Sequence, residues 1–426
     1  MDYRIFPPEE ILETTVTLPL SKSVANRALA IAALSPAPTG TGALPDCDDT
    51  DIMVRALENA DAEVIDCGAA GTAMRFLTAV FAAREGREVT LTGSERMLER
   101  PIGPLVDALR ACGADIEYAG REGFPPLRIR GRALAGGDVT MEATTSSQFV
   151  SALLMAAPMM AGGLRLRLDG EIVSEPYIGL TMAMMVRAGA DVSRERDVIT
   201  VAPKPYTAAD FEGEADWSAA AFWYEIEALT SGFVTIANLS RDSAQGDRAV
   251  ADIYSDLGVV TDYDGETPGT TDLLASPDTS PRLYIDLSST PDLVPALTVT
   301  CVMLRIPFRF SGLSTLRIKE SDRVEALRTE LGRVGAILES ETPDTLEWEG
   351  RFVPVGEMPV FDPHGDHRMA MALAPVALYI PGIVVRDAEV VSKSYPGYWD
   401  DLRAAGFTVT DVADEAVEQP STPGEQ

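Results

Sequence analysis

Positive charge is scarce in this 426-residue chain. Lys and Arg total 35 against 66 Asp and Glu, a formal net charge of −31. Four of those bases are lysines, Lys22, Lys204, Lys319 and Lys393, and the two histidines are His364 and His367. A polyanion binder draws its affinity from a basic excess that neutralises phosphates, so nucleic acid is excluded as a partner. Cysteine is scarce too. Cys47, Cys67, Cys112 and Cys301 stand far apart and form no CxxC pair, which excludes a zinc ribbon, a redox dithiol or a disulfide scaffold. No uncharged apolar run reaches the ~18 residues of a membrane span. The residues after Met1 lack the basic and apolar regions of a signal peptide. The expectation is a soluble cytoplasmic protein.

What is present is the composition of a globular protein, with 46% hydrophobic and 24% charged residues. A single core seldom grows past roughly 250–300 residues, so two domains are expected. A repeat supports this. Helical stretches end with an apolar residue, three more residues, a Gly and then a strand-like run. This occurs at Leu109 to Gly113, Met185 to Gly189, Tyr254 to Gly258, Leu331 to Gly335 and Leu402 to Gly406, with Gly-to-Gly spacings of 76, 69, 77 and 71. A degraded copy ends near Asp61, only 52 residues before Gly113. The Gly fits a left-handed helix C-cap. The strand expected after Gly335 is Ala336-Ile-Leu-Glu. Fixed-period self-similarity implies a repeated unit, and alternating strands and helices put the class at α/β or α+β. The first interval is short by about a hairpin. The acidic, Pro-containing end, residues 411–426, reads as a flexible tail.

The basic and hydroxyl residues gather at helix starts. Pro19-Leu-Ser-Lys-Ser-Val-Ala-Asn-Arg precedes a periodic helix running to about Leu34, with Ser21 or Ser23 as cap and Lys22 at the positive end. Gly68-Ala-Ala-Gly-Thr-Ala-Met-Arg opens a second helix, where Gly71 lets an anion approach the backbone amides. Thr144-Thr-Ser-Ser-Gln-Phe opens a third and Asp366-His-Arg-Met-Ala a fourth. One hydroxyl at a helix start is usually only a cap, but four such starts suit a polyanionic small molecule. Arg317-Ile-Lys-Glu-Ser-Asp-Arg reads alone as a solvated helix start. Yet a chain that uses Arg almost everywhere keeps Lys at 22, 319 and 393, each in a motif-like context. Lysine, a compact charge with three donors, is not interchangeable with arginine. Lys204, between two prolines, is incidental. Asp362-Pro-His-Gly-Asp-His could hold a metal, but it lacks a third cluster of ligands and the helical HxxxH spacing. A helix start with His367 beside Arg368 is the better reading.

These residues resemble the 5-enolpyruvylshikimate-3-phosphate synthase family over nearly the whole chain. The carriers are Leu20-Ser-Lys-Ser-Val-Ala-Asn-Arg-Ala, Ala70-Gly-Thr-Ala-Met-Arg, Glu99-Arg-Pro-Ile-Gly, Ser146-Ser-Gln-Phe, Val173-Ser-Glu-Pro-Tyr-Ile, Gln245-Gly-Asp, Pro291-Asp, Arg317-Ile-Lys-Glu-Ser-Asp-Arg, Asp366-His-Arg-Met-Ala and Ser392-Lys-Ser-Tyr-Pro. The resemblance implies a two-domain enolpyruvyl-transferase fold. Each domain would hold three βαβαββ repeats, the first shortened, with the active site in the interdomain cleft. The implied domains are 19–213 and 1–18 plus 214–410. The implied reaction transfers the enolpyruvyl group of phosphoenolpyruvate to the 5-hydroxyl of shikimate 3-phosphate and releases phosphate, with no cofactor or metal.

By resemblance, Ser23, Arg27, Ser146, Ser147, Ser174, Tyr177, Thr315 and Lys319 bind shikimate 3-phosphate. Gly71, Arg100, Arg323, Arg368 and Lys393 grip phosphoenolpyruvate, and Gln148 and Lys22 touch both ligands. Asp292 accepts the 5-hydroxyl proton, Glu320 takes part in proton transfer at C3, and Lys22 is a possible acid. Thr72, Arg75 and His367 stand beside them. Ala69 and Phe76 depart from the family's usual Asn and Pro, and Thr315 from a frequent Asn. Glyphosate is an implied inhibitor, and a cytoplasmic monomer is expected. The rival readings are a UDP-N-acetylglucosamine enolpyruvyl transferase, which generally carries a reactive loop Cys, a non-catalytic phosphometabolite binder, and a metal-dependent hydrolase built on the two histidines.

Overall fold

Strand Leu164–Asp169 reads Leu-Arg-Leu-Arg-Leu-Asp, and its residues are alternately buried and exposed. That period of two places one face on a core and leaves the other to solvent. Most sheets of the protein are built from such short strands with helices covering the apolar face. A computed structural model describes residues 1–59, 61–142, 146–170, 172–230 and 232–414. By contacts the chain divides into two units. One contains Pro19–Asp216 and Asp242–Arg248, and the other contains Met1–Leu18, Trp217–Arg241 and the chain from Ala249 onward. The Gln245 segment thus groups with the first unit although its flanks belong to the second.

Each unit uses one sheet pattern more than once. In the first unit, Val64–Asp66 runs parallel to Glu88–Thr92, which pairs antiparallel with Leu127–Arg130, which pairs antiparallel with Asp115–Tyr118. Gly137–Glu142, Leu164–Asp169, Val198–Val201 and Val192–Glu195 repeat that order. A third, minimal sheet is the parallel pair Thr39–Gly40 and Ala209–Asp210.

In the second unit, Glu13–Val16, Phe233–Ile236, Thr271–Thr279 and Leu257–Asp262 follow the same parallel–antiparallel–antiparallel order. So do Val360–Phe361, Ile383–Val385, Tyr3–Phe6 and Thr408–Asp411, the chain's first strand filling one place. The remaining sheet, Leu283–Asp286, Phe308–Ser311 and Leu346–Trp348, has only three strands. The segment Ala336-Ile-Leu-Glu, expected as a full strand, makes only the isolated bridges Ala336 to Phe352 and Glu339 to Glu347. Asp411, expected in the tail, is instead the last residue of strand Thr408–Asp411. Asp411 pairs with Tyr3, and the Val412 amide donates to Asp2 O. Residues 415–426, and Thr144 and Thr145 of the third helix start, lie outside the described residues.

The helix ends follow the glycine pattern. Gly113, Gly189, Gly258, Gly335 and Gly406 all have φ between 85° and 99°. At Gly258 the left-handed residue lies inside strand Leu257–Asp262, where the register shifts between Leu257 and Val259. Several helices are buried on all sides. Val294–Met303 is buried at every position, and Trp217–Thr230 and Ser147–Ala156 along most of their length. Such a helix belongs to a core rather than a surface. Polar residues concentrate where these helices begin, at Ser146 and at Asp292. No helix among the described residues is long and apolar enough to cross a membrane.

Two glycines of one turn should respond oppositely to alanine. Gly335 has φ 88°, and a Cβ there would collide with the Val353 carbonyl. Gly332, the last residue of helix Arg323–Gly332, has open space around its Cα. Gly335→Ala should lower stability by about 1–2 kcal/mol or more. Gly332→Ala should raise it by about 0.5–1 kcal/mol. The shift of the urea unfolding midpoint, with opposite signs for the two variants, checks this.

Candidate active site

In the second unit, seven charged side chains from four segments form one network. Asp292 lies on the 3-10 turn Pro291–Leu293 that leads into helix Val294–Met303. Its Oδ1 accepts from Arg323 Nη1 at 2.7 Å and lies 3.5 Å from Lys319 Nζ. Its Oδ2 lies 3.2 Å from Arg368 Nη2. Glu320 bridges Arg323 Nη2 at 3.2 Å and Lys393 Nζ at 3.2 Å. Asp366 takes Arg323 Nε on Oδ2 at 2.7 Å and Arg323 Nη2 on Oδ1 at 3.2 Å. Arg323 and Asp366 are fully buried, whereas Lys319 keeps the largest exposure of the network, 24%.

Local structure explains how these side chains are presented. Asp322 caps helix Arg323–Gly332 by accepting from Glu325 N at 3.1 Å, which places Arg323 on the first helical residue. Arg317 braces the approach through Asp322, Ser340 Oγ and Pro343 O. The run 317–323 is therefore not a solvated helix start; Lys319 and Arg323 point into a carboxylate cluster. Asp366 caps helix His367–Leu373 by accepting from Arg368 N at 3.0 Å. One carboxylate thus orients Arg323 and fixes the backbone that carries Arg368.

His367 is buried, with Nδ1 3.8 Å from Asp366 Oδ1, and His364 faces Glu330 instead. The two rings therefore have different partners. Among the described residues no group of three His, Cys, Asp or Glu is placed to hold a metal ion. Thr315 sits on the 3-10 segment Ser314–Ile318, and its buried hydroxyl has no hydrogen-bond partner among the described residues.

Four bases, Lys319, Arg323, Arg368 and Lys393, here meet three carboxylates, Asp292, Glu320 and Asp366. Burial pushes the Asp292 carboxyl up, but Arg368, Lys319 and Arg323 outweigh it and hold it well below the usual carboxylate range. Burial likewise works against the charge of Arg323, and Asp366, Asp292 and Glu320 more than restore it. Asp292 is therefore an ionised acceptor at neutral pH, and the cluster keeps one positive charge in excess.

The first unit presents its bases differently. Lys22 is the first residue of helix Lys22–Leu34, and its Nζ lies 3.1 Å from Asp49 Oδ2. Ser21, not Ser23, is the cap; its hydroxyl also donates to Gln245 Oε1 at 2.8 Å, and Gln245 Nε2 donates to Ala215 O and Glu214 Oε1. Gly71 opens helix Gly71–Ala82, and the Arg100 guanidinium lies against it. A Cβ on Gly71 would sit 2.6 Å from Arg100 Nη1. Arg75 donates to Gly71 O at 3.0 Å and to Pro101 O at 3.3 Å, tying the helix start to the segment that carries Arg100. Ser146 caps helix Ser147–Ala156 by accepting from Gln148 N, and Gln148 Nε2 donates to Thr72 Oγ1 at 3.1 Å. Ser174 is left-handed, φ 54°, just before helix Glu175–Arg187, whose first turns carry Tyr177.

Arg27 is the most enclosed of these bases. Its guanidinium lies over the rings of Phe76 and Tyr177, 5.5 and 5.8 Å from their centroids. It donates to Thr181 Oγ1, Ser23 O, Ser151 Oγ and Tyr177 O. Among the described residues these bonds engage four of its five N–H groups. Burial lowers its pKa to about 10, so it stays charged at neutral pH.

Sequence reasoning missed Asp49, Thr181 and Ser151, and it quoted Asp366 without a role. Asp49 lies in Asp48-Asp49-Thr50-Asp51, which reads as ordinary acid at a helix start. Thr181 and Ser151 read as core hydroxyls, and nothing in the sequence marks them as partners of Arg27.

Solved structures share this fold. The EPSP synthase from Acinetobacter baumannii matches with a TM-score of 0.75 at 21% identity, covering 96% of this chain and 100% of that one. The enolpyruvyl transferase NikO from Streptomyces tendae matches with a TM-score of 0.73 at 16% identity, covering 96% and 98%. The architecture is that of the enolpyruvyl transferases. The family model for EPSP synthase (3-phosphoshikimate 1-carboxyvinyltransferase) matches residues 58–402. The 3-phosphoshikimate 1-carboxyvinyltransferase of Bacteroides fragilis is 49% identical over 411 residues, 96% of this chain and 99% of that protein. That of Methanoculleus marisnigri is 37% identical over 416 residues, covering 91% and 96%. The chain belongs to the EPSP synthase family.

The contact between Gly71 and Arg100 predicts a selective defect. Gly71→Ala must displace the Arg100 guanidinium. On the phosphoenolpyruvate role that the resemblance implies for Gly71 and Arg100, the KM for phosphoenolpyruvate should rise on the order of tenfold. The KM for shikimate 3-phosphate should stay nearly unchanged. Steady-state kinetics with each substrate varied in turn checks it.

Proposed function

We propose that this chain transfers the 1-carboxyvinyl group of phosphoenolpyruvate to the 5-hydroxyl of shikimate 3-phosphate and releases phosphate. The observation that carries the reading is the Asp292 carboxylate, ionised and held among Arg323, Arg368 and Lys319. The hydroxyl oxygen must bond to C2 of the donor while losing its proton, and Asp292 is the acceptor. The product keeps the double bond and loses phosphate, so C3 gains a proton and later gives one back. Glu320 and Lys22 are the groups for that exchange.

Arg323, Arg368 and Lys393 hold the donor's negative charge, with Arg100 at Gly71. Ser23, Arg27, Ser146, Ser147, Ser174, Tyr177, Thr315 and Lys319 hold shikimate 3-phosphate, and Gln148 and Lys22 serve both ligands. Arg75 supports the Arg100 position. An arriving donor anion competes with Asp292 for Arg323 and Arg368. As those cations turn to the ligand, Asp292 loses the charges that depress its pKa and becomes a stronger base. The basicity would then appear when a substrate is present to use it. Glyphosate, an anion for the donor position, should inhibit competitively against phosphoenolpyruvate. The same reading makes the enzyme a cytoplasmic monomer that needs no cofactor.

A phosphate-release assay with both substrates tests the proposal. The wild type should release phosphate only when both are present. Asp292→Asn should lower kcat by about 10²–10⁴-fold. Lys22→Met should lower kcat and raise the KM for phosphoenolpyruvate. Absence of release by the wild type overturns the reading.

The pH profile gives an independent check. A depressed carboxyl stays ionised as pH falls until its own low pKa is reached, and kcat/KM reports the free enzyme. Cations hold Asp292 well below the ordinary carboxylate range. Lowering the pH from neutral to about 5 should therefore cost no kcat/KM through this group, since even an ordinary Asp titrates near 4. An acid limb near neutrality that vanishes in Asp292→Glu would contradict the assignment.

A further inference from the structure

The cluster Asp362-Pro-His-Gly-Asp-His supplies Asp366 and Arg368 to the proposed donor site, yet His364 has no part in that chemistry. Its ring Nε2 lies 3.0 Å from Glu330 Oε1. Glu330 is fully buried, and its Oε2 accepts from the Asp362 amide at 3.0 Å and from Arg333 Nε at 2.6 Å. Glu330 follows Arg323 by seven residues on helix Arg323–Gly332. Seven residues are two turns less about 20°, so both side chains lie on one face. One end of that face binds Asp366 through Arg323, and the other binds Asp362 and His364 through Glu330. The segment 362–366 is thus fastened to a single helix at both ends.

The fastening meets a local need. His364 and Gly365 have φ of 55° and 66°, two left-handed residues in succession. A non-Gly residue adopts that conformation only where its surroundings compensate. At His364 the amide donates to Asp362 Oδ1 at 2.7 Å and the ring meets Glu330. Releasing Glu330 removes the ring contact and the Asp362 amide bond together. The next residue but one after His364 is Asp366, which sets Arg323 and caps the backbone of Arg368.

We propose that Glu330 and His364 are positioning residues for the reaction, holding segment 362–366 so that Arg323 and Arg368 are aimed at the phosphoenolpyruvate anion. The proposal rests on the donor-site roles assigned to those two arginines.

The test compares Glu330→Gln, His364→Gly and Arg368→Ala with the wild type, measuring kcat, both KM values and the urea midpoint. His364→Gly deletes the ring but keeps the left-handed conformation at little cost, so it isolates the tether. Glu330→Gln and His364→Gly should each raise the KM for phosphoenolpyruvate on the order of tenfold. The KM for shikimate 3-phosphate should remain within about twofold, because a displacement confined to one ligand's contacts leaves the other's binding alone. If Arg368→Ala raises the KM for phosphoenolpyruvate but neither of the other variants does, the positioning role is wrong and the donor assignment stands. If both KM values rise together with a lowered urea midpoint, Glu330 merely holds the fold and the proposal fails. If Arg368→Ala also leaves the KM for phosphoenolpyruvate unchanged, the donor assignment falls and takes the proposal with it.

Discussion

The pair Arg323–Asp366 is the contact on which the charged cluster of the second unit depends. Both side chains are shut off from solvent, and two hydrogen bonds join them. Two charges taken out of water lose hydration that a single contact seldom returns, and removing one partner of such a pair costs on the order of 3–5 kcal/mol. The pair is sustained because each partner does a second task. Asp366 satisfies a free amide at the start of helix His367–Leu373, and Arg323 reaches on to Asp292 and Glu320. Arg323 thereby sets the distance between the two carboxylates that the proposed chemistry uses. The planar fork allows this, because Arg323 directs four N–H bonds to three carboxylates, whereas an ammonium has only three donors.

In the first unit, Arg27 is placed by neutral partners. Lys22 lies beside the Asp49 carboxylate, while Arg75 donates to backbone carbonyls. Arg27 shows how far this goes: its contacts are two hydroxyls, two carbonyls and two aromatic rings. Neutral partners orient a guanidinium without cancelling its charge, so the field of Arg27 remains for a ligand. Burial costs part of that charge's stability, as the lowered pKa records, but a value of about 10 leaves the cation intact. Phe76 belongs to this arrangement. Its ring is buried against the guanidinium.

The parts of this design legible in the sequence are the local ones. A glycine required at positive φ, a hydroxyl or carboxylate that caps a helix, and an apolar run that buries a helix on all sides are each decided within a few residues. Gly113 and Gly406 were readable for that reason, as were helix starts near Ser146 and Asp366, though not which residue caps them. The scarcity of lysine marked Lys22, Lys319 and Lys393, which all lie in charged pairs. Pairing across long separations leaves no such mark. Lys22 and Asp49 are apart in sequence, and so are Arg27 and Thr181; each alone looks like an ordinary helix residue. The strand expected after Gly335 failed for a related reason. Its apolar pattern is adequate, but strand formation needs a partner in register, and the opposite segment offers only two bridges.

The acidic composition acquires a local meaning in the second unit. Without ligand, four bases in a small volume would repel one another, and burial would drive their protons off or the side chains into solvent. Asp292, Glu320 and Asp366 prevent that by acting as internal counter-ions. They are not equivalent. Asp366 is inaccessible and tied to Arg323 twice, so it stays a permanent partner. Asp292 and Glu320 keep some exposure and, besides the buried Arg323, touch bases that also keep some. In the proposed reaction an incoming anion replaces these two, but not Asp366. The carboxylates that can be replaced are those given proton-transfer roles in the proposed reaction. Binding of the donor and activation of the base then become one exchange of counter-ions around Arg323 and Arg368, with Asp366 as the fixed point that lets the arginines keep their places while the exchange occurs.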